Sequence, residues 1–106
     1  MVSQENLTKE GIMDAISKSK AELYSLGVRS IGLFGSFVRG ESGVQSDVDI
    51  LVEFDAAKKT FDNFIDTCFL LEDLLGRRVE LVTGESISPY IRPYVLKEVE
   101  YVPITN

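Results

Sequence analysis

Two aspartates one residue apart, Asp47 and Asp49, open the most strand-like stretch of the chain, Ser46-Asp47-Val48-Asp49-Ile50-Leu51-Val52. Alternation along a strand sends both carboxylates to one face, with Cβ atoms roughly 7 Å apart, within reach of a single hard cation. An unpaired buried charge is costly, so acids in such a stretch imply either a cation beside them or a wet edge strand. The Asp-x-Asp spacing alone does not separate the two. Upstream, across ten intervening residues, the apolar run Ser30 to Phe34 ends in Gly35-Ser36. A strand that stops at Gly-Ser before a helical turn offers backbone N–H groups and a hydroxyl, which suit phosphate; such a pair is also found in plain turns. Glu80 sits in another alternating stretch, Arg78 to Thr83, and brings a third carboxylate if the two strands are neighbours. Three acids around two Mg²⁺ ions can activate an attacking oxygen and bind nucleotide phosphates.

Composition removes much competing chemistry. The chain has no histidine and one cysteine, Cys68, which excludes Ser-His-Asp and Cys-His catalysis, His- or Cys-based metal sites and an intramolecular disulfide. Acid–base work falls to Asp, Glu, Lys and Tyr. A net charge of −6 opposes nonspecific binding to DNA, RNA or an anionic membrane, so none of these is expected as a partner. A nucleotide carried by a divalent cation stays compatible with that field. At 106 residues the expectation is a single domain spanning residues 1–106. No stretch reads as a signal-peptide core or membrane span, and the expected compartment is the cytoplasm.

These residues need elements to hold them. Apolar residues at Leu7, Ile12, Ala15, Ile16, Leu23 and Leu26 predict one helix from about Thr8 to Leu26, stopped by Gly27, with Met1 to Asn6 frayed. Val28 to Phe34 reads as a strand, Ser36 to Arg39 as one helical turn, and Gly40 to Ser46 as a polar loop. Asp47 to Phe54 alternates, with Val48, Ile50, Val52 and Phe54 on one face and Asp47, Asp49, Leu51 and Glu53 on the other. A second long helix is predicted from about Thr60 to Leu75, ended by Gly76, its Phe61, Phe64, Phe69 and leucines mostly core. More than one apolar stripe on it leaves room for a partner interface. After the strand Arg78 to Thr83, Ser88 and Pro89 read as the cap and first position of a short third helix, against which Pro93 argues. Tyr101 to Ile104 reads as a last extended piece.

With these elements in place, Gly35-Ser36, ten residues, then Asp47-Val48-Asp49 resembles the signature of the nucleotidyltransferase fold shared with DNA polymerase beta. The chain most resembles the minimal nucleotidyltransferase proteins, small prokaryotic partners of HEPN-domain proteins. The resemblance is carried by Phe34-Gly35-Ser36-Phe37-Val38-Arg39-Gly40-Glu41, by Ser46 to Val52, by Val79-Glu80-Leu81-Val82 and by the ending Lys97-Glu98-Val99-Glu100-Tyr101-Val102. It implies an α/β (α+β) fold: a small mixed sheet of three or four strands with helices mainly on one face. It further implies that Gly35 and Ser36 hold the triphosphate of ATP, that Asp47 and Asp49 ligate Mg²⁺, and that Glu80 is the third carboxylate, where aspartate is the commoner residue. The implied reaction is transfer of AMP from ATP to a hydroxyl. In the toxin–antitoxin members that hydroxyl is a tyrosine of the HEPN ribonuclease, which the modification silences.

Other residues admit two readings each. Arg39 is placed to meet triphosphate oxygens or to pair with Glu41 or Glu53. Ser46 touches phosphate or caps its loop. Lys58, Lys59, Arg77 and Arg78 read as solvated charges, Cys68 as an inert core thiol, and Tyr90, Tyr94 and Tyr101 as interface or core aromatics. With three strands and their helices using the chain, an acceptor is expected from a partner protein or a second copy, in a homo- or hetero-oligomer. The leading expectation is an antitoxin that adenylylates a HEPN partner. The alternatives are a non-catalytic module that neutralises its partner by contact, or a nucleotidyltransferase acting on a small-molecule hydroxyl.

Overall fold

The computed structural model describes residues 7–43 and 45–104. The expected frayed end, Met1 to Asn6, lies outside them. The elements run α1 (Lys9–Lys18), α2 (Lys20–Ser25), β1 (Val28–Phe34), α3 (Ser36–Arg39), β2 (Val48–Phe54), α4 (Phe61–Leu75), β3 (Val79–Thr83), α5 (Arg92–Glu98) and β4 (Glu100–Tyr101), with 3₁₀ turns at Ala56–Lys58 and Gly84–Ser86. The four strands form one mixed sheet in the order β3-β2-β1-β4. β1 is antiparallel to β2 and β4, whereas β2 and β3 are parallel. Parallel neighbours cannot be joined by a tight turn, and α4 is the crossover that carries the chain back between them.

The core lies on the sheet face lined by Ile31, Leu33, Val48, Ile50, Val52, Val79 and Leu81, packed against Ile12 and Ile16 of α1, Leu23 of α2 and Leu71 and Leu75 of α4. Val102 and Ile104 close one edge of it, with Val102 N–H donating to the Ile31 carbonyl. Period-two alternation turns Asp49, Leu51 and Glu53 to the opposite face. That face is partly covered as well: Leu51, next to Asp49 on it, is 1% exposed. α5 supplies the cover, since Val95 is buried outside the main core and Ile91, Tyr94 and Glu98 share a cavity with Asp49.

The structure changes three of the helix expectations. The first helix is interrupted at Ser19, where the backbone leaves helical geometry (ψ 16°) and Ser19 N–H bonds back to the Ile16 carbonyl. Ser17-Lys18-Ser19-Lys20 is the most polar part of that stretch, and serine competes for backbone hydrogen bonds in a helix. The last helix begins at Arg92 rather than at Pro89: Ser88 to Ile91 forms a turn, its Ser88 carbonyl accepting from Ile91 and Arg92 N–H. Pro93 thereby falls in the first helical turn, where a missing N–H removes no bond. In α4 the expected ends hold, with the Thr60 side chain accepting from Asn63 N–H and Gly76 closing the helix at φ 63°. Two of its three aromatic residues do not follow the expected packing: Phe64 packs against the core, but Phe61 is 77% and Phe69 63% exposed, while Thr67, Leu71 and Leu75 take the buried stripe. Apolar residues on more than one stripe exceed what one face of a helix can bury. Cys68, expected in the core, is half-buried against it, with its Sγ 3.9 Å from the Val79 carbonyl and its thiol pKa raised by burial and by the charge of Glu72.

Leu71→Ala is expected to destabilise the fold by about 2–5 kcal/mol through cavity formation, whereas Phe69→Ala should change stability by about 0.5 kcal/mol or less. Urea unfolding of the two variants beside the parent chain measures both.

Candidate active site

The site grows from one row of residues across three strands. Phe34, the last residue of β1, pairs with Asp49 of β2, and Asp49 pairs with Glu80 of β3. The expected neighbourhood of the two acidic strands is therefore present, and in parallel register Asp49 and Glu80 stand side by side. Gly35 follows Phe34 directly and adopts φ 81°, ψ −152°, a region that only glycine occupies without strain. A Cβ at this position would lie 2.1 Å from Asp49 Oδ2. The glycine of the Gly-Ser pair is thus required twice, by its backbone angles and by the carboxylate packed against its Cα. α3 starts immediately after it, with Val38 and Arg39 N–H both bonded to the Gly35 carbonyl.

The electrostatics follow from this packing. Asp49 is pushed up from 3.8 to about 6, first by burial, then by its hydrogen bond with Glu80 and the negative charges of Glu80 and Asp47, with Arg39 pulling the other way. Two carboxylates held side by side without a full countercharge share a proton or take a cation. Carboxylate oxygens are hard donors of the kind Mg²⁺ takes, so the donor set fits the ion that the family resemblance implies. Asp49 and Glu80 would supply two of the donors for such a site. Asp47 lies exposed just before β2, and among the described residues no three acidic side chains are already gathered around a common point.

A cavity of about 390 Å³ opens over the pair. Its polar end is lined by Gly35, Arg39, Asp49, Glu80 and Glu98, and its other end by Val82, Ile87, Ile91, Tyr94 and Val95. Of the residues singled out in the sequence, Gly35, Arg39, Asp49 and Glu80 meet here. Ser36, Ser46 and Asp47 do not line the cavity. Ser46 Oγ accepts from Gly43 N–H at 2.8 Å within its loop. Arg39 pairs with Glu41 at 2.9 Å, one of the two pairings anticipated, and not with Glu53, whose carboxylate accepts from Gly84 N–H.

Four contributors were not legible in the sequence. Glu98 of α5 accepts from Gly35 N–H at 2.8 Å and from Arg39 Nη1 at 3.0 and 3.2 Å. Sixty-three residues separate Glu98 from Gly35, so no local spacing links them. Tyr94 is a cavity wall left 75% exposed, which no periodicity distinguishes from a surface aromatic. Arg77, read as solvated, instead donates through Nη1 to the Gly43 and Ser46 carbonyls and lies over the Phe37 ring. It ties down the loop that leads into Asp47. Arg92 acts similarly on α5, donating to the Gly84 and Ile87 carbonyls at 2.9 Å each.

Gly35→Ala should destabilise the chain by about 1–3 kcal/mol from backbone strain alone, with further loss from the clash at Asp49, measurable by denaturant titration. Asp49→Asn should act in the opposite sense. The folded-state pKa of Asp49 lies above its unfolded value, so folding favours its protonated form. Its unfavourable contribution is absent below about pH 4, grows between about pH 4 and 6, and is complete above that. Melting curves in EDTA should therefore place Asp49→Asn above the parent chain at pH 7.5, with the gap closing towards pH 4.

Comparison with known proteins shows the family to which the chain belongs. Residues 13–102 match the family model described as the nucleotidyltransferase domain. The chain is 47% identical over 97 residues to the protein adenylyltransferase MntA of Thermococcus cleftensis, covering 91% of this chain and 97% of that one. Among solved structures it resembles one assigned as a minimal nucleotidyltransferase, with TM-score 0.69 and 28% identity, covering 90% of this chain and 96% of that one. It shares its fold with a chain in the complex of the tri-AMPylated Shewanella oneidensis HEPN toxin with its MNT antitoxin, with TM-score 0.54 and 21% identity, covering 83% of this chain and 71% of that one. A Gly-Ser turn packed on paired strand carboxylates, in a chain matched along most of its length, places this protein in the nucleotidyltransferase family, among its minimal members.

Proposed function

We propose that this chain is a Mg²⁺-dependent protein adenylyltransferase that moves AMP from ATP to a tyrosine hydroxyl of a HEPN ribonuclease, acting as its antitoxin. The observation that carries the reading is the Asp49–Glu80 pair, held in register beside Gly35 at the floor of a cavity with one polar and one apolar end. The adenylyltransferase relative at 47% identity supports the reaction class, and the complex of an AMPylated HEPN toxin with an MNT antitoxin supports the kind of partner.

In this reading Asp49 and Glu80, with Asp47 from its exposed position just before β2, hold the cation. Mg²⁺ supplies charge neutralisation at the phosphates and lowers the pKa of the attacking hydroxyl. Gly35 N–H and the Arg39 guanidinium bind the phosphate chain, and the Ser36 hydroxyl adds a donor from the first position of α3. Val82, Ile87, Ile91 and Tyr94 give the nucleoside an apolar wall, and the acceptor tyrosine enters from the partner. Ser46 and Arg77 act one step back, by holding the loop that aims Asp47.

The test is incubation of the purified chain with α-labelled ATP, Mg²⁺ and the HEPN protein encoded beside it. Label should appear on a tyrosine of the partner. The double change Asp47→Asn, Asp49→Asn should lower transfer by more than the roughly 10–100-fold typical of residues that merely support a metal ligand. Equal transfer by that variant sinks the catalytic assignment, and ribonuclease neutralisation that survives it supports inhibition by contact alone.

A further inference from the structure

Two of the groups assigned to phosphate already hold an anion, and it belongs to the chain. The single N–H of Gly35 is committed to Glu98 Oε2, and Arg39 Nη1 reaches both Glu98 oxygens. Arg39 Nε donates in turn to Glu41 Oε1 at 2.9 Å. A carboxylate oxygen and a phosphate oxygen ask the same of these donors, and a backbone N–H cannot serve both fully. Glu98 also brings a further negative group to a cavity that contains Asp49 and Glu80 and would receive a polyanion.

We propose that Glu98 is an internal stand-in for phosphate: a polyphosphate enters the site by displacing the Glu98 carboxylate from Gly35 and Arg39, so that Glu98 sets the affinity of the nucleotide site. The inference rests on reading Gly35 and Arg39 as nucleotide-binding groups. Displacement needs no unfolding of α5, because the Glu98 side chain is 24% exposed and its carboxylate can rotate into water. The observed affinity for a polyphosphate is then the intrinsic affinity scaled by the fraction of molecules in which the grip is open. The same exchange run backwards helps the leaving polyphosphate depart, since Glu98 returns to the donors as they are vacated. A bracing role for Glu98 makes the opposite prediction. If the carboxylate served to hold Gly35 and Arg39 in place for phosphate, neutralising it would loosen the grip and weaken binding.

Calorimetric titration of the full chain with tripolyphosphate, at fixed MgCl₂, separates these outcomes. Glu98→Gln, which keeps the shape and removes the charge, should bind tripolyphosphate more tightly than the parent chain, on the order of tenfold. Equal or weaker binding, or no binding by either protein, overturns the proposal. Should the variant fail to fold, the parent chain labelled with ¹⁵N and ¹³C still decides the matter. Tripolyphosphate must shift the Gly35 amide and the Glu98 side-chain carboxyl together, and a Gly35 amide unmoved at saturation overturns it. Label transfer from ATP is a separate readout. Its failure counts against adenylyl transfer, whereas unchanged tripolyphosphate affinity counts against the role of Glu98.

Discussion

The contact between the Gly35 Cα and the Asp49 carboxylate is the constraint on which the site depends. It requires β1 to end level with the start of β2, which the Phe34–Asp49 pairing enforces, and it requires a backbone conformation open to glycine alone. Because β3 joins β2 in parallel, Glu80 arrives beside Asp49 from the far side. Antiparallel pairing on one flank and parallel pairing on the other thus bring a turn and two acids to one end of the sheet. The parallel pair needs a long crossover, and α4 provides it while burying Leu71 and Leu75 in the core. Stability and site geometry are accordingly set by the same connection.

Negative charge is concentrated at one end of the sheet, where Asp49 is half-buried and Glu80 beside it is exposed. Asp49 is half-buried against Glu80, and burial is the largest reason that its pKa rises. Such a pair is an unfavourable feature of the folded chain that a cation relieves, the usual signature of a residue kept for function at some expense in stability. Arg39 answers part of the negative field, yet its own guanidinium is divided between Glu41 and Glu98. The polar end of the cavity is therefore a balance of one cation against several carboxylates. A balance of that kind responds readily to an incoming metal or anion.

α5 is the element that makes the strand end a cavity. It is anchored at its start by Arg92 on the Gly84 and Ile87 carbonyls, and near its end by Glu98 on Gly35. Between these anchors it lays Val95 over the sheet face that carries Asp49 and leaves Tyr94 on the cavity wall. The same helix also exposes Leu96, and the turn before it exposes Tyr90.

How much of this was legible in the chain divides along physical lines. Strand alternation, the glycine stops at Gly35 and Gly76, the Asp-x-Asp pair and the candidate third acid Glu80 are local patterns, and each survives in the fold because backbone geometry has a short period. Local pattern could not say that Ser19 interrupts the first helix, or that Phe61 and Phe69 stay exposed, because a helix with apolar residues on several stripes buries only the stripe its neighbours cover. Nor could it place Glu98 on Gly35, or turn Arg77 from a solvent charge into a loop tie, since hydrogen bonds between distant residues depend on how elements stack rather than on spacing along the chain. The sequence by itself determined which side chains were available for metal and phosphate chemistry, with histidine and cysteine routes closed. The tertiary structure decided which of them meet, because only the register of β1, β2 and β3 and the docking of α5 bring Gly35, Arg39, Asp49, Glu80 and Glu98 to one cavity.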